Sequence, residues 1–457
     1  MIRLYKGEKI MNNHTEKSRR KKRRKIRRLL KRLIRISILL IPIILLVLFL
    51  SWILGRDKNN TSKENSADVI APIKIEKEEP EPITASILTG GDIIMHDPFL
   101  TSNYYLKEDG SYDYNDIFKY IKGHYNASDL TILNLESTIS DGNYKGYPRF
   151  RAPAGIATAL AMNGTDICQL ANNHIYDNYD AGFNMTIHAV ESNDMMYMGV
   201  RKSASEKTYM IQEVNGIKIG FFNYVFNTGA KEGKDISINS IPVNNTTAPL
   251  INTFNYGNTQ KLYNEIQAGL QEMREAGVDY TIAYIHWGIE YETTENTRQQ
   301  TIAKELCELG IDALIGGHPH VIQPVDLLTN EAGDHQMLCA YSLGNHLSNQ
   351  YRERMPNTKP TGHTEDGLMV NLVLEKDVEG NVSLVKADFI PTWVYRTPNE
   401  PDEGNPEFYI MPLDNPDSLV ERLDLPELAK DVAESLQRTN EIISAGVTKV
   451  KNALPLR

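Results

Sequence analysis

In GIDALIGGHPHVIQP, residues 310–324, two histidines follow a short apolar run that ends in two glycines. Such a run is typical of a short buried β-strand. Pro319 lies between His318 and His320 and favours an extended backbone, so alternation should place both imidazoles on one side of the segment. Two imidazoles on one side can hold the same metal ion.

Strand-like and helix-like segments alternate along the body of the chain, from Ala85 onward. The apolar strand candidates include ASILTGGD, DLTILNLES, DICQLANNH and VDYTIAYIHWG, and helical periodicity is clearest in TQKLYNEIQAGLQEMREAG. This alternation predicts a layered α/β domain. Near the end, two alternating runs around VEGN predict a hairpin, and residues 426–450 predict one amphipathic helix.

Nearly every predicted strand ends in a side chain that can bind a metal ion. These side chains belong to Asp92, His96, Glu136, Asn173, His174, His286, His318, His320, Asn345 and His346. Ligands of α/β sheets bind beyond the carboxyl ends of the strands. A single histidine in such a place is more often structural, but six of the 11 histidines lie at these ends. The pattern therefore predicts a metal centre.

The predicted donors are nitrogen and oxygen atoms, with no thiolate nearby. Such a set suits Mn, Zn or Fe and disfavours a structural cysteine-type zinc site. The supply of carboxylates, amide and imidazoles exceeds what one catalytic zinc needs and fits two divalent ions, with Glu136 or Asp92 as a bridge. A histidine that does not bind metal would then give a proton to the leaving group. We predict His174 for that role.

The first 55 residues differ sharply in charge from the rest. They hold 16 Lys or Arg and 2 Glu, a net charge of +14, whereas the other 402 residues hold 33 basic and 57 acidic residues, a net charge of −24. A body this acidic argues against nucleic acid as a partner. Cys168, Cys307 and Cys339 lie in apolar stretches, so we expect small core residues and no disulfide framework.

A basic segment, residues 1–35, precedes 19 uncharged and mostly apolar residues at 36–54. About 20 such residues cross a bilayer, so we predict one transmembrane anchor. The basic segment should stay cytoplasmic, and residues 55–84 should form a polar linker to an extracytoplasmic body at the cell membrane. A cleaved signal peptide is the alternative, although no small-residue cleavage site follows. Lys-Gly-Glu before Met11 can be encoded by a ribosome-binding sequence, so Met11 is a second candidate start.

Six motifs of the body carry a family resemblance. They are GGD at 90–92, NLES at 134–137, LANNHIYD at 170–177, IHWGIEY at 285–291, GGHPHVIQP at 316–324 and YSLGN at 341–345. Together they resemble the capsule synthesis CapA family, also called the poly-γ-glutamate biosynthesis PgsA family, over residues 86–394. That family is similar to calcineurin-like metallophosphoesterases. The likeness implies a four-layer αββα sandwich over residues 85–415, followed by a helical tail at 416–457.

The likeness to metallophosphoesterases also implies roles for individual residues. It makes metal ligands of Asp92, His96, Glu136, Asn173, His286, His318 and His320, with His174 beside them. The chain departs from the motifs of those enzymes in the wider spacing from Asp92 to His96, in Glu136 for Asp and in Asn172 for Gly.

Five further residues are candidate contacts to an anionic polymer or phosphoester substrate. They are Arg149, Arg151, Glu290, Asn345 and His346. For the two arginines a solvated loop is an equally open interpretation.

Three functions stay open at this point. The resemblance implies synthesis or export of a capsule polymer such as poly-γ-glutamate, beside membrane polymer-synthase subunits. A metal site also fits an extracytoplasmic metallohydrolase that cleaves a phosphoester or an amide of the cell envelope. The third possibility is a non-catalytic subunit of a membrane polymer synthase.

Overall fold

The computed structural model describes residues 82–229, 236–355, 361–398 and 406–454. They belong to one compact unit, Glu79–Arg457. Within these ranges no helix is both long and apolar enough to cross a membrane. The basic segment and the predicted anchor at residues 36–54 lie outside the described residues.

The described chain forms strands and helices in alternation through most of its length. The strands are β1 (Ile83–Ile93), β2 (Leu130–Leu135), β3 (Thr138–Ser140), β4 (Arg151–Pro153), β5 (Ile167–Gln169), β6 (Met196–Met198), β7 (Tyr209–Val214), β8 (Ile217–Phe226), β9 (Ser237–Ile238), β10 (Ile241–Pro242), β11 (Thr253–Phe254), β12 (Tyr280–His286), β13 (Ala313–Gly317), β14 (Val325–Thr329), β15 (Gln336–Ala340), β16 (Asn345–Leu347), β17 (Asp366–Lys376), β18 (Val382–Arg396) and β19 (Phe408–Pro412). The helices are α1 (Asp97–Thr101), α2 (Lys122–Ala127), α3 (Gly155–Asn163), α4 (Tyr179–Ser192), α5 (Gln260–Glu275), α6 (Thr297–Leu309), α7 (Pro416–Leu423) and α8 (Ala429–Ala453).

Two mixed sheets organise the fold. The larger has the order β19-β18-β17-β1-β2-β5-β6, with β16 also paired to β1. Its β1, β2, β5, β6 and β16 are parallel, and β17 to β19 are antiparallel. The second has the order β11-β8-β12-β13-β15-β14, with β7 on β8. The predicted α/β class is confirmed.

Three apolar clusters show how the layers stack. One lies between the sheets and includes Ile87 and Ile132 of the larger sheet with Ile219 and Ile282 of the second. Another joins the opposite face of the larger sheet to α1, α3 and α4. A third joins the opposite face of the second sheet to α5 and α6. The layer order is therefore helices, sheet, sheet, helices.

The sequence explains why these elements form where they do. Strand β12 is buried at every residue, as a strand covered on both faces requires, and its sequence YTIAYIH is almost continuously apolar. Helix α6 begins with a capping box between Asn296 and Gln299 and ends at Gly310, whose φ is 92°. Strand β1 begins at Ile83, so the last two residues of the predicted linker belong to the sheet. The three cysteines are buried and unpaired, as expected.

Parallel register brings the ends of central strands together. Asp92 of β1 lies opposite Asn134 of β2 on one side and Asn345 of β16 on the other. In the second sheet, His286 of β12 lies opposite Gly317 of β13. Both sheets thus end in polar residues at one edge.

The predicted C-terminal helix is observed as α8, three residues longer at its end than the pattern suggested. It packs across β14 of the second sheet and β17 and β18 of the larger one. Ile443 and Val450 join the cluster between the sheets, and Gly446 faces the Val325 carbonyl so closely that a β-carbon would overlap it. The helix therefore closes one side of the sandwich.

A buried ion pair fixes α8 to β17. Arg438 donates two hydrogen bonds to the Asp366 carboxylate, at 2.7 and 2.8 Å, and Ser435 Oγ donates a third at 2.6 Å. Burial nevertheless raises the pKa of Asp366 to about 6, because desolvation outweighs the attraction of Arg438. The Asp366 carboxylate depends on this helix for its compensation.

We expect Arg438→Ala to lower the free energy of unfolding by about 3–5 kcal/mol, because it leaves the buried Asp366 carboxylate uncompensated. The control is Lys430→Ala on the same helix, whose ion pair with Glu434 is exposed, and its effect should stay below about 0.5 kcal/mol. Urea unfolding of the full-length chain measures both. Equal losses in the two variants would show that the pair does not hold α8.

Candidate metal centre

Buried polar side chains from both sheets converge at the edge where the central strands end. Asp92 closes β1, Glu136 follows β2 and His286 closes β12, while His318 and His320 follow β13. All five are at least 95% buried. Buried polar groups normally have hydrogen-bond partners. A buried polar atom of this site without such a partner therefore indicates where a bound ion would fit.

Glu136 lies at the centre of this group and is fully buried. Its Oε1 is 3.4 Å from His286 Nε2, 3.8 Å from His320 Nε2 and 3.9 Å from His174 Nε2. Oε1 makes no hydrogen bond with any described group, whereas Oε2 accepts one from Asn134 Nδ2 at 3.5 Å. Burial raises the pKa of Glu136 well above its usual range, and the negative charges of Asp92 and Glu290 add to the effect. An ionised carboxylate in this place needs a cation.

Asp92 has more hydrogen bonds than Glu136. Its Oδ1 accepts a hydrogen bond from Asn134 Nδ2 at 2.7 Å, and its Oδ2 accepts one from the His318 backbone N–H at 3.1 Å. His320 Nδ1 lies 3.3 Å from Oδ2. Burial acts to raise the pKa of Asp92, but the contacts with His320, His286 and Asn134 outweigh it and lower the pKa. Asp92 is therefore ready to ligate as a carboxylate.

Two groups of three side chains have the geometry of a metal site. Asp92, Glu136 and His286 form one, and Glu136, His318 and His320 form the other. In each group, three donor atoms lie within 4.8 Å of one another. Glu136 belongs to both groups.

The segment that carries His318 and His320 is not extended, contrary to the prediction from Pro319. Strand β13 ends at Gly317, and His318 and His320 have φ angles of 95° and 58°. The turn packs closely against the Asp92 side chain. The His318 N–H donates a hydrogen bond to the Asp92 carboxylate, and a β-carbon on Gly317 would lie 2.9 Å from Asp92 Oδ1. Left-handed backbone at a residue other than glycine is strained and is concentrated at functional sites.

Two imidazoles of this site, those of His286 and His318, are held in the neutral form. Burial lowers the pKa of His286 to about 3 and that of His318 well below its usual range. His318 Nδ1 is buried without a hydrogen bond to any part of the chain that the structure describes. Neutral imidazoles with a free lone pair are metal ligands. Asn173 Oδ1 lies 2.7 Å from His286 Nε2 and is therefore close to the same group of candidate ligands.

His174 is anchored by a residue that the sequence prediction left out. Its Nδ1 donates a hydrogen bond to Asp177 Oδ2 at 2.7 Å, which directs Nε2 toward Glu136. Asp177 is fully buried, and its Oδ2 also accepts from the Phe150 N–H. A carboxylate three residues after a strand-end histidine, in NNHIYD, is the local signal that could have identified it.

His96, a predicted metal ligand, lies beside the cluster with its lone pair occupied. Its Nδ1 accepts a hydrogen bond from the Asn349 backbone N–H at 3.1 Å, so the neutral ring carries its proton on Nε2. Burial lowers the pKa of His96 to about 3. In this geometry His96 is a hydrogen-bond donor, and neither group of ligands includes it.

The five predicted substrate contacts separate into two sets. Glu290 is exposed, and Arg149 is half-buried and donates to Tyr179 Oη at 3.1 Å. Arg151 is also half-buried, on β4. These three are at least partly accessible to solvent, and their role as substrate contacts stays a prediction.

Asn345 and His346 are fully buried, contrary to the expectation for substrate contacts. Asn345 donates to Gln350 Oε1 at 2.8 Å and to the Thr364 carbonyl at 2.9 Å. His346 hydrogen-bonds Tyr125, because alternation along β16 turns it to the opposite face of the sheet. Both residues therefore support the strand that flanks Asp92.

A match to a known protein family covers the part of the chain that contains the candidate metal centre. The family model described as bacterial capsule synthesis protein PGA_cap matches residues 86–350, which is more than half of the chain. The chain belongs to this family. The PGA_cap match begins within β1 and ends just after β16, so it spans every residue of the candidate metal centre.

Two curated relatives are named for capsule or PGA biosynthesis. Capsule biosynthesis protein CapA of Bacillus anthracis is 26% identical over 292 residues, which cover 62% of this chain and 63% of that protein. The match therefore spans less than two thirds of that relative. PGA biosynthesis protein CapA of Bacillus subtilis strain 168 is 24% identical over 355 residues, which cover 76% of this chain and 79% of that protein.

Among solved structures, a Staphylococcus aureus chain described as a 5'-nucleotidase in complex with alpha-ketoglutarate aligns with 70% of this chain and 56% of its own. The sequence identity is 12% and the TM-score is 0.37. A likeness this low carries no argument about activity.

We expect Glu136→Gln to stabilise the metal-free protein by about 1–3 kcal/mol near neutral pH, because it removes a buried, uncompensated charge. The folded-state pKa of Glu136 lies above its unfolded value, so the folded chain holds this proton more tightly. Stability is then greatest below the unfolded pKa and falls as pH rises toward the folded one. The gain of the variant over wild type should therefore grow with pH.

Urea unfolding of the full-length chain in chelator, at mildly acidic and at neutral pH, measures this gain. The control is Glu213→Gln on β7, whose side chain is exposed and whose effect should stay within about 0.5 kcal/mol. A Glu136→Gln variant that is less stable than wild type at every pH would contradict the interpretation.

Proposed function

We propose that this PGA_cap protein is a membrane-anchored, extracytoplasmic protein of capsule or poly-γ-glutamate synthesis or export, and that it acts through a two-metal site. Family membership and the names of the two relatives support the polymer role. The buried Glu136 Oε1, which has three imidazoles around it and no hydrogen bond to a described group, carries the metal proposal.

The residues present fit two divalent ions. Asp92, Glu136 and His286 would hold one, and Glu136, His318 and His320 the other, with Asn173 beside them. All donors are nitrogen or oxygen, which suits Mn, Zn or Fe. Two bound ions would supply a Lewis acid for a tetrahedral oxyanion and lower the pKa of a water nucleophile.

The layer order of helices, sheet, sheet, helices, with the donors at the carboxyl edge of both sheets, supports a metallophosphoesterase type of αββα sandwich. In that arrangement each ion takes ligands from both sheets. Asp92 and Glu136 come from the larger sheet, and His286, His318 and His320 come from the second.

The surroundings of His174 favour catalysis over passive binding. Its Nδ1 donates a hydrogen bond to Asp177, and its Nε2 lies 3.9 Å from Glu136 Oε1, facing the candidate metal ligands. A histidine held by a carboxylate can carry a proton to a leaving group. This observation supports the second candidate function, an extracytoplasmic metallohydrolase that cleaves a phosphoester or amide of the cell envelope.

The substrate that suits both candidates is anionic. Arg149 lies next to Phe150, whose ring is T-shaped with the rings of His96 and His174, at centroid distances of 5.2 and 4.6 Å. A cation in that position can pair with a carboxylate or phosphate of a polymer. The proposed anchor at residues 36–54 would hold the site at the membrane, within reach of polymer-synthase subunits.

We expect the purified full-length chain, supplied with Mn and Zn, to hold close to two equivalents of metal. His318→Ala/His320→Ala should lose at least one of them, because each imidazole belongs to the same group of ligands. His188→Ala is the control, since His188 is exposed on α4 and should leave the metal content unchanged. Elemental analysis gives the ratio. Wild-type protein without metal would contradict the two-metal site.

The His174→Asn variant distinguishes a catalytic role of this protein from a non-catalytic one. We expect this variant to keep its metal and its place in the membrane but to lose most polymer output, about 10²-fold or more, because a general acid contributes that much. His188→Asn is the matched control. Polymer mass per cell is the measurement. Full output from His174→Asn would favour a non-catalytic subunit of a synthase.

A further inference from the structure

A short hairpin of the second sheet's β8–β11 connection crosses to the larger sheet. Strands β9 and β10 form it, and Ile238 and Ile241 are buried in the core beneath the helices of the larger sheet. The two turn residues, Asn239 and Ser240, have φ angles of 49° and 59°. Positive φ at both positions is a type I′ turn, which asparagine adopts readily. The apolar pair thus holds the turn in a defined place.

The tip of this hairpin reaches the residue that anchors His174. Asn239 Nδ2 donates a hydrogen bond to Asp177 Oδ1 at 3.1 Å and lies 3.4 Å from His174 Nδ1. The other oxygen, Oδ2, accepts from His174 Nδ1 and from the Phe150 N–H, each at 2.7 Å. Both oxygens of Asp177 are therefore occupied, and three chain segments fix its plane.

Further hydrogen bonds come from Asn244 and Thr247, which follow the hairpin in the connection between β8 and β11. Asn244 Nδ2 donates to Tyr176 Oη at 3.1 Å and to Asp180 Oδ2 at 2.5 Å. Thr247 Oγ1 donates to Asp180 Oδ1 at 2.6 Å. The loop from His174 to the start of α4 is thus held at both of its ends by residues 239–247.

We propose that Asn239 is a positioning residue that acts through Asp177 on His174; this deepens the proposed function and rests on it. Because Oδ1 accepts from Asn239, Oδ2 is kept for His174 Nδ1–H. The Nδ1 proton is thereby fixed between His174 and Asp177. Nε2 is left as the ring nitrogen of His174 that faces Glu136.

The test compares two glycine substitutions in one turn. Asn239→Gly deletes the amide but suits a left-handed backbone, so the hairpin should persist. Ser240→Gly makes the same change to the backbone and leaves the amide intact. The full-length chain is labelled with ¹⁵N-histidine, freed of metal with chelator and studied by solid-state NMR at mildly alkaline pH. The His174 signals are assigned by their absence in His174→Gln.

We expect His174 to carry its proton on Nδ1 in wild type and in Ser240→Gly. In Asn239→Gly, the ratio of Nδ1-protonated to Nδ1-bare rings should fall by about tenfold, the effect of one hydrogen bond to a charged group. A bare Nδ1 in wild type would overturn the proposal. So would an unchanged ratio in Asn239→Gly, or an equal fall in both glycine variants.

The NMR result is independent of metal content and of polymer output. If His174→Asn leaves polymer output unchanged while Asn239→Gly changes the tautomer, the proposed function fails and the positioning stands. If polymer output depends on His174 and the tautomer does not depend on Asn239, the positioning fails alone.

Discussion

The buried carboxylate of Glu136 is the constraint on which the rest of the site depends. Its Oε1 has three imidazole nitrogens within 3.9 Å, those of His174, His286 and His320, yet protonation of the nearest ring is a poor source of compensation, because burial depresses the pKa of His286. The carboxyl group must then either hold a proton itself or face a cation from outside the chain. Conditions that keep it ionised therefore favour metal, and the neutral His286 ring beside it already has the protonation state that a metal ion needs.

The same constraint ties the site to the packing of the two sheets. Glu136 and Asp92 come from the larger sheet, whereas His286, His318 and His320 come from the second sheet. The donors meet only because the apolar cluster between the sheets brings both carboxyl edges to one place. A ligand that binds the folded arrangement and not the unfolded chain stabilises it by mass action. Metal would thus stabilise the contact between the sheets, in addition to any chemistry, while α8 closes the sandwich on another side.

Much of this arrangement could be predicted from local sequence. A polar residue directly after an apolar run identifies a strand end, which is why Asp92, Glu136 and His286 were found without a structure. The backbone at His318 could not be predicted, because the N–H that turns toward Asp92 meets a residue 226 positions away in the sequence. Asn239 was missed for the same reason, since it reaches Asp177 across 62 positions from the hairpin between β8 and β11. Long-range contacts of this kind leave no local pattern.

Hydrogen bonds at Nδ1 divide the histidines of the site into different chemical roles. His318 has a buried Nδ1 with no hydrogen bond to a described group, so the lone pair of its neutral ring is available to an ion. His174 donates from Nδ1 to Asp177, which leaves Nε2 directed toward Glu136. His96 accepts at Nδ1 from a backbone N–H, so Nε2 can only donate while the ring is neutral. The Phe150 ring is T-shaped with both rings, with centroids 4.6 Å from His174 and 5.2 Å from His96. This division of roles supports the proposal that the site acts on a bound anion, since a site that only binds a polymer needs ligands and no proton carrier.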